Sequence, residues 1–239
     1  ESKQEYELTV TKTEIETFYA DLKKENELLI RSATITDFLP SVKDIRHSAN
    51  GDVEEEGLLQ DCNSIFLSKA GKNQNFLSVI SFDIDDQSSI GATTILTKPG
   101  AVYASANALY VATRQYQYEN YDWFYDESQN ISESTTIHKF NFILNDIHTT
   151  YAGSGFVKGH VLNQFAMDEH NGFLRIATTL GNVPDPNVHS TISILKENNG
   201  LLTVEGQIDN IAPTEDIRSA RFDGDQGYIV TFKKTDPLF

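Results

Sequence analysis

The sequence predicts an all-β fold assembled from repeated four-stranded antiparallel sheets, behind a short helical N-terminal segment. Three observations carry this reading. The stretch "HVLNQFAMDEHNGFLRIATT" at 160–179 is echoed by "DIRSARFDGDQGYIVTF" at 216–232. A second motif, "TTIHKFNF" with "STISILKE", recurs at one fixed spacing of 55 residues. Inside each copy, short apolar or alternating runs are joined by brief polar turns, which leaves no room for the crossover helices a parallel sheet needs.

The first 60 residues differ from the rest. "TKTEIETFYADLKKEN" (11–26) reads as a helix, because Ile15, Phe18, Tyr19 and Leu22 fall at i, i+3, i+4 and i+7. Thr13 and Glu16 suit a capping box. "ELLIRSATI" (27–35) reads as a strand, "FLPSVKD" (38–44) with Pro40 as a loop, and "SANGDVEEEG" (48–57) as an exposed acidic stretch. The division expected is 1–60 as a helical or irregular segment, open to being part of an earlier blade, and 61–239 as repeated sheets.

Within the repeats, Met167-Asp168 answers Phe222-Asp223, Gly172 answers Gly227, and Phe173-Leu174 answers Tyr228-Ile229, each 55 apart. On the same offset Thr136-Ile137 answers Thr191-Ile192, and Phe140 answers Leu195. A constant spacing over two motifs marks stacked supersecondary units. It predicts that Leu162 and Ile217 are equivalent first-strand residues and that 160–179 and 216–232 contain no helix. "AVYASANALYVAT" (101–113) is a looser copy, and "FLSVISFDI" (76–84) resembles the Ile137 and Ile192 motifs. Asp, Asn and Gly in "DEHNG" and "DGDQG" tolerate the positive φ of hairpin turns.

Each unit is then a meander of strands a, b, c and d, with "GLLTVEGQI" (200–208) as a strand d. Such a unit, repeated about every 50 residues, is a β-propeller blade. It has two apolar faces that only neighbouring blades can bury. Residues 101–152 and 160–209 give whole blades, 76–98 strands c and d of an earlier one, and 216–239 strands a and b of a later one. Two wholes and two halves are a partial ring. Bare edges recruit strands, and "YIVTF" (228–232) is such an edge. Self-association of two arcs is expected over closure by the half-blades or a fold-back of residues 1–75.

Composition narrows the function classes. The net charge of −16 and pI of about 4.6 disfavour nucleic acid as a partner. No apolar run approaches the ~20 residues of a membrane span. No signal peptide is visible, and a chain opening at Glu1 without Met suggests processing. The single cysteine, Cys62, rules out an intrachain disulfide and a cysteine zinc cluster, and its expected state is a buried or incidental thiol.

The stretches "KPGAVYASANALYVATR", "STTIHKF", "GHVLNQFAMDEHNGFLRIATT" and "APTEDIRSARFDGDQGYIVTFKKTDPLF" resemble bacterial and archaeal secreted proteins with a C-terminal β-propeller domain, distantly related to WD-type repeats. The resemblance covers roughly residues 60–239. It implies a propeller, and an extracellular or cell-surface location. It brings no catalytic residues.

The most unusual stretch is "RQYQYENYDWFYDESQNISES" (114–134), in which six of the ten residues from Tyr116 to Tyr125 are aromatic. It occupies a b–c connection ten residues longer than its counterpart at 178–190. Tyr118, Tyr121 and Trp123 are therefore the candidate ligand-binding residues, suited to stacking on a sugar or gripping a protein partner, unless the loop folds its rings onto its own blade. The acidic turns "DIDD" (83–86), "MDEH" (167–170) and "DGDQG" (223–227) make Asp223 and Asp225 weak calcium candidates. No other metal and no cofactor is expected. "GSGFVKGH" (153–160) lacks the ending of a phosphate loop and reads as a blade connection. The six histidines form no HExxH motif, His138 reads as a cross-strand neighbour, and "NIS" at Asn130 is a glycosylation sequon. The function expected is a non-catalytic interaction or ligand-binding module. The alternative is a propeller-type hydrolase or lyase with a central-channel site.

Overall fold

A computed structural model describes residues 11–67, 75–85, 90–116, 133–143 and 149–232. It comprises two compact units, Glu1–Leu59 and Gln60–Phe239.

In the first unit, helix α1 spans Lys12–Ser32. It takes in most of the strand expected over 27–35, because Glu25, Glu27, Leu28, Leu29 and Arg31 are good helix formers. The cap is Thr11 and not Thr13: Glu14 N donates to Thr11 Oγ1 (3.3 Å), and Thr11 N donates to Glu14 Oε2 (2.8 Å). A 3₁₀ turn follows at Ile35–Phe38. Strands β1 (Ser41–Arg46) and β2 (Val53–Leu58) then form an antiparallel hairpin where a loop and an acidic stretch were expected. Pro40 stands just before β1, where its missing N–H costs no ladder bond, and its carbonyl accepts from Leu59 N at 2.8 Å.

The second unit opens with β3 (Ile65–Leu67), β4 (Phe76–Phe82) and β5 (Ile90–Leu96). β4 and β5 are the antiparallel pair expected over 76–98, and β3 adds a parallel strand on the far edge of β5. The next blade is a meander of β6 (Ala101–Ala104), β7 (Ala108–Tyr116), β8 (Glu133–Phe142) and β9 (Thr149–Lys158). The third comprises β10 (His160–Val161), β11 (Met167–His170), β12 (Phe173–Leu180), β13 (His189–Asn198) and β14 (Leu201–Ile211). The last described pair is β15 (Ile217–Asp223) with β16 (Gln226–Thr231). The fold is all-β with four-stranded blades and one helix, as the sequence predicts.

The third strands keep the 55-residue spacing. Ala112↔Ile137 and Thr113↔Thr136 in one blade match Ala177↔Ile192 and Thr178↔Thr191 in the next. The a–b hairpins do not keep it. His170↔Phe173 closes around Asn171-Gly172, whereas Asp223↔Gln226 closes around Gly224-Asp225. Gly172 (φ 78°) and Gly224 (φ 51°) are the positive-φ glycines of these two turns, so the counterpart of Gly172 is not Gly227, which lies in β16. Likewise Met167↔Ile176 corresponds to Ala220↔Ile229. Ile217, opposite Thr231, corresponds to Val161, opposite Thr178, and not to Leu162. The cause is a three-residue 3₁₀ helix at Gln164–Ala166, capped by Asn163, which splits the first strand into β10 and β11; the expectation that 160–179 holds no helix fails at this one turn. "MDEH" is therefore strand and not turn.

The core lies between the sheets. Tyr110, Ile137 and Val157 pack with Met167, Ile176 and Leu195. Ala166 and Ala177 pack with Ile217, Ala220 and Ile229, and Ile95 packs with Val111 and Phe140. Each blade is thus buried by its neighbours. The outer strands β9 and β14 meet in parallel at Leu201↔Ser154. Of "GSGFVKGH", expected as a blade connection, residues 153–158 lie in β9 and only Gly159 falls between β9 and β10. Gly153 and Gly155 are glycines because the backbones of β9 and β14 cross there. A Cβ on Gly153 would lie 2.2 Å from Gly200 O, and one on Gly155 2.1 Å from Leu202 O. Among the described residues, β16 takes its ladder partners from β15 alone, with Ile229↔Ala220 and Val230↔Ser219.

Candidate functional site

Tyr118, Tyr121 and Trp123 lie outside the described residues. The strands that carry them are described. β7 and β8 stay paired out to Tyr116↔Glu133, while the next blade's equivalent pair of strands ends at Leu180↔His189.

At the root of that segment sits a buried charge. The Glu133 side chain is 5% exposed and pairs with Arg114 Nε. His160 Nδ1 lies 3.2 Å from Glu133 Oε2, and Gly181 N donates to the same oxygen at 3.2 Å. The Glu133 carbonyl accepts from Gly159 N at 3.1 Å. Burial alone would push this carboxyl up, but the hydrogen bond and charge of His160 and the Arg114 guanidinium prevail and hold it below its usual range. The cluster joins strands b and c of one blade to the first strand and b–c connection of the next. Arg114 and Glu133 meet across the paired strands β7 and β8, whereas His160 and Gly181 reach Glu133 only through the stacking of blades, and nothing in the sequence pairs them with it.

A second buried polar group, His138, joins the first sheet to the next blade. Its Nε2 lies 3.1 Å from Thr97 Oγ1 and its Nδ1 3.0 Å from Tyr151 Oη. A neutral imidazole supplies one donor and one acceptor to such a pair of hydroxyls. Burial pushes its pKa down to about 4. This ring ties two sheets together as well as neighbouring other strands of its own.

A concave site lies elsewhere among the described residues. The first strands of three successive blades enclose a cleft of about 320 Å³. β6 contributes Val102, Tyr103 and Ala104, β11 contributes Met167 and Asp168, and β15 contributes Arg221 and Phe222. The 3₁₀ turn adds Gln164 and Phe165. Asp168 Oδ2 accepts from Arg175 Nε at 2.9 Å and pairs with Nη2. Arg175 Nη1 donates to Gly224 O at 2.7 Å, and its guanidinium lies 5.0 Å from the centre of the Phe222 ring. The Arg221 guanidinium lies 4.0 Å from the centre of the Phe165 ring, and its Nη1 donates to Ala220 O at 2.8 Å. Tyr103 Oη accepts from Glu169 N at 2.9 Å, and burial pushes this phenol up. The cleft thus combines aromatic and aliphatic walls with a neutralised carboxylate and a stacked arginine. The sequence reading missed it, because its members come from three separate blades.

Asp223 ends β15, while Asp225 occupies the hairpin turn with its Oδ1 3.1 Å from His170 Nε2. In "DIDD", Asp83 Oδ1 accepts from Asp85 N at 2.8 Å, and Asp86 lies outside the described residues. Among the described residues, no three His, Cys, Asp or Glu side chains converge as a metal site. Cys62 is exposed and free, not buried. No helix among the described residues is long and apolar enough to cross a membrane.

A family model described as a beta propeller domain matches residues 8–239. The chain is similar to an uncharacterized protein of Methanocaldococcus jannaschii, 41% identical over 125 residues, which cover 52% of this chain and 18% of that protein. It is also similar to an uncharacterized protein of Archaeoglobus fulgidus, 38% identical over 122 residues, covering 51% of this chain and 18% of that one. The matched part spans less than a fifth of the length of either relative.

Proposed function

Since the chain belongs to the beta propeller domain family, we propose that it is a non-catalytic binding module of a secreted or cell-surface protein, recognising its ligand in the cleft between the first strands of three blades. One observation carries this reading: the cleft's own carboxylate, Asp168, is already held by Arg175, so its chemistry is spent on shaping a wall and not on moving protons. A small concave site with mostly apolar walls and few polar groups suits recognition. The connection bearing Tyr118, Tyr121 and Trp123 is a second proposed contact surface, for a protein or carbohydrate partner.

The test is a ligand-detected NMR screen of short oligosaccharides, peptides and small organic acids against the chain and its Ala104→Trp variant. Ala104 is exposed and lines the cleft, so the indole fills the space without entering the core. Hits lost in the variant are expected. Hits that bind both proteins alike would remove the cleft from the reading. Turnover of any hit would favour the hydrolase or lyase alternative.

A further inference from the structure

We propose that the cleft recognises a small organic monocarboxylate with an apolar body, and that Arg221 reads its carboxylate. This rests on the cleft being the recognition site.

The first support is the state of Arg221. The chain carries 35 acidic residues against 19 basic ones, yet Arg221 forms no ion pair among the described residues. Its neighbours are differently occupied: Arg175 is bound to Asp168 and Arg218 to Asp216. Arg221 is instead fixed from two sides. The Phe165 ring lies under its guanidinium, and the Ala220 carbonyl takes a hydrogen bond from Nη1. A guanidinium held this way keeps a planar set of N–H donors at low entropic cost, and that geometry matches a carboxylate.

Phe165 is itself a placed residue. It rides on the 3₁₀ turn, whose cap Asn163 accepts from Phe165 N at 3.0 Å. Its ring is half-exposed, so it serves as a platform and not as core.

The remaining walls choose the body of the ligand. Val102, Ala104, Met167 and Phe222 are apolar and favour a hydrocarbon or aromatic group. The net charge of −16 disfavours a second negative charge on the ligand. A monocarboxylate therefore fits better than a phosphate monoester. A cleft of about 320 Å³ holds a body of roughly one amino-acid residue.

The experiment follows backbone and arginine side-chain NMR signals of the full chain during titration with N-acetylphenylalanine, its neutral amide, phenyl phosphate, and a pentapeptide ending in phenylalanine. Saturable shifts at Arg221, Phe165 and Met167 are expected with the acid. The amide and the phosphate bind about tenfold more weakly, the loss expected of one charge-assisted contact. Arg221→Gln weakens the acid to the level of the amide, Arg221→Lys does so in part, and Arg218→Gln leaves it unchanged. Equal binding of acid and amide by the unaltered chain overturns the proposal without requiring any variant to fold. So does unchanged acid binding in Arg221→Gln, or the absence of saturable shifts with every probe. Tighter binding by the peptide overturns the assignment to a free small acid in favour of a chain terminus. If acid and amide bind alike but Ala104→Trp blocks both, the cleft stands as the recognition site and only the carboxylate assignment falls.

Discussion

His160 Nδ1 stands 3.2 Å from Glu133 Oε2, so a buried carboxylate of one blade meets the first strand of the next at the root of the aromatic segment. Removing Glu133 takes away the buried carboxylate that Arg114, His160 and Gly181 N all engage. Glu133→Ala is expected to lower stability by about 3 kcal/mol, and Glu133→Gln by less. Because the folded-state pKa of Glu133 is depressed, its contribution is complete above the ordinary carboxylate range. It disappears as the pH falls through the depressed value. Thermal melts of the chain and Glu133→Gln should differ near neutrality and converge in acid; curves that stay apart would show that ionisation of Glu133 is irrelevant.

His138 gives a second window of pH. Its pKa is about 4 in the fold against 6.5 for the free side chain, so the unfolded chain takes up the proton more readily. Stability contributed by the neutral ring is complete above 6.5, declines between 6.5 and about 4, and levels below that. The total is about 3 kcal/mol. NMR of the imidazole carbons tests this directly: a ring that titrates near 6.5 in the folded chain removes the effect.

The close crossing of β9 and β14 makes Gly155 sensitive. A methyl group there meets the backbone of Leu202, and backbone does not yield as a flexible side chain does. Gly155→Ala should cost about 2 kcal/mol, while Gly57→Ala, with nothing within 4 Å of its Cβ position, should change stability by less than about 0.5 kcal/mol. Urea denaturation of both variants checks the contrast, and equal midpoints would refute it.

The expectation of self-association is a proposal about the outer edge of β16, whose only described partner is β15. Light scattering over a concentration series should show dimers at high concentration. A monomer throughout would mean that the edge is covered within the chain.

Much of the blade pattern was legible because it is written locally. Thr136-Ile137 and Thr191-Ile192 alternate polar and apolar residues around a fixed register, and the structure pairs them identically. The hairpin arithmetic failed because "NQFAM" reads as an uninterrupted strand, whereas Asn163 caps a turn within it. The helix ran past its expected end because "ELLIR" favours helix as readily as strand when no glycine or proline stops it. The candidate site was illegible for a different reason. Arg221 and Phe165, like Glu133 and His160, lie far apart in sequence and share no periodic signal. Only the stacking of sheets brings them together.

The 3₁₀ turn at Gln164–Ala166 has a wider meaning for how such a chain changes over time. From Val161 to Met167 the first strand takes six steps where Ile217 to Ala220 takes three, yet the later strands of the two whole blades remain in step. The inner rim absorbs extra residues without transmitting them to the scaffold. Those residues bring Phe165 beneath Arg221. A duplicated unit can therefore acquire individuality at its centre while its siblings and its own outer strands stay as they were, and the irregularity that blurs the repeat is the part of the blade that distinguishes it.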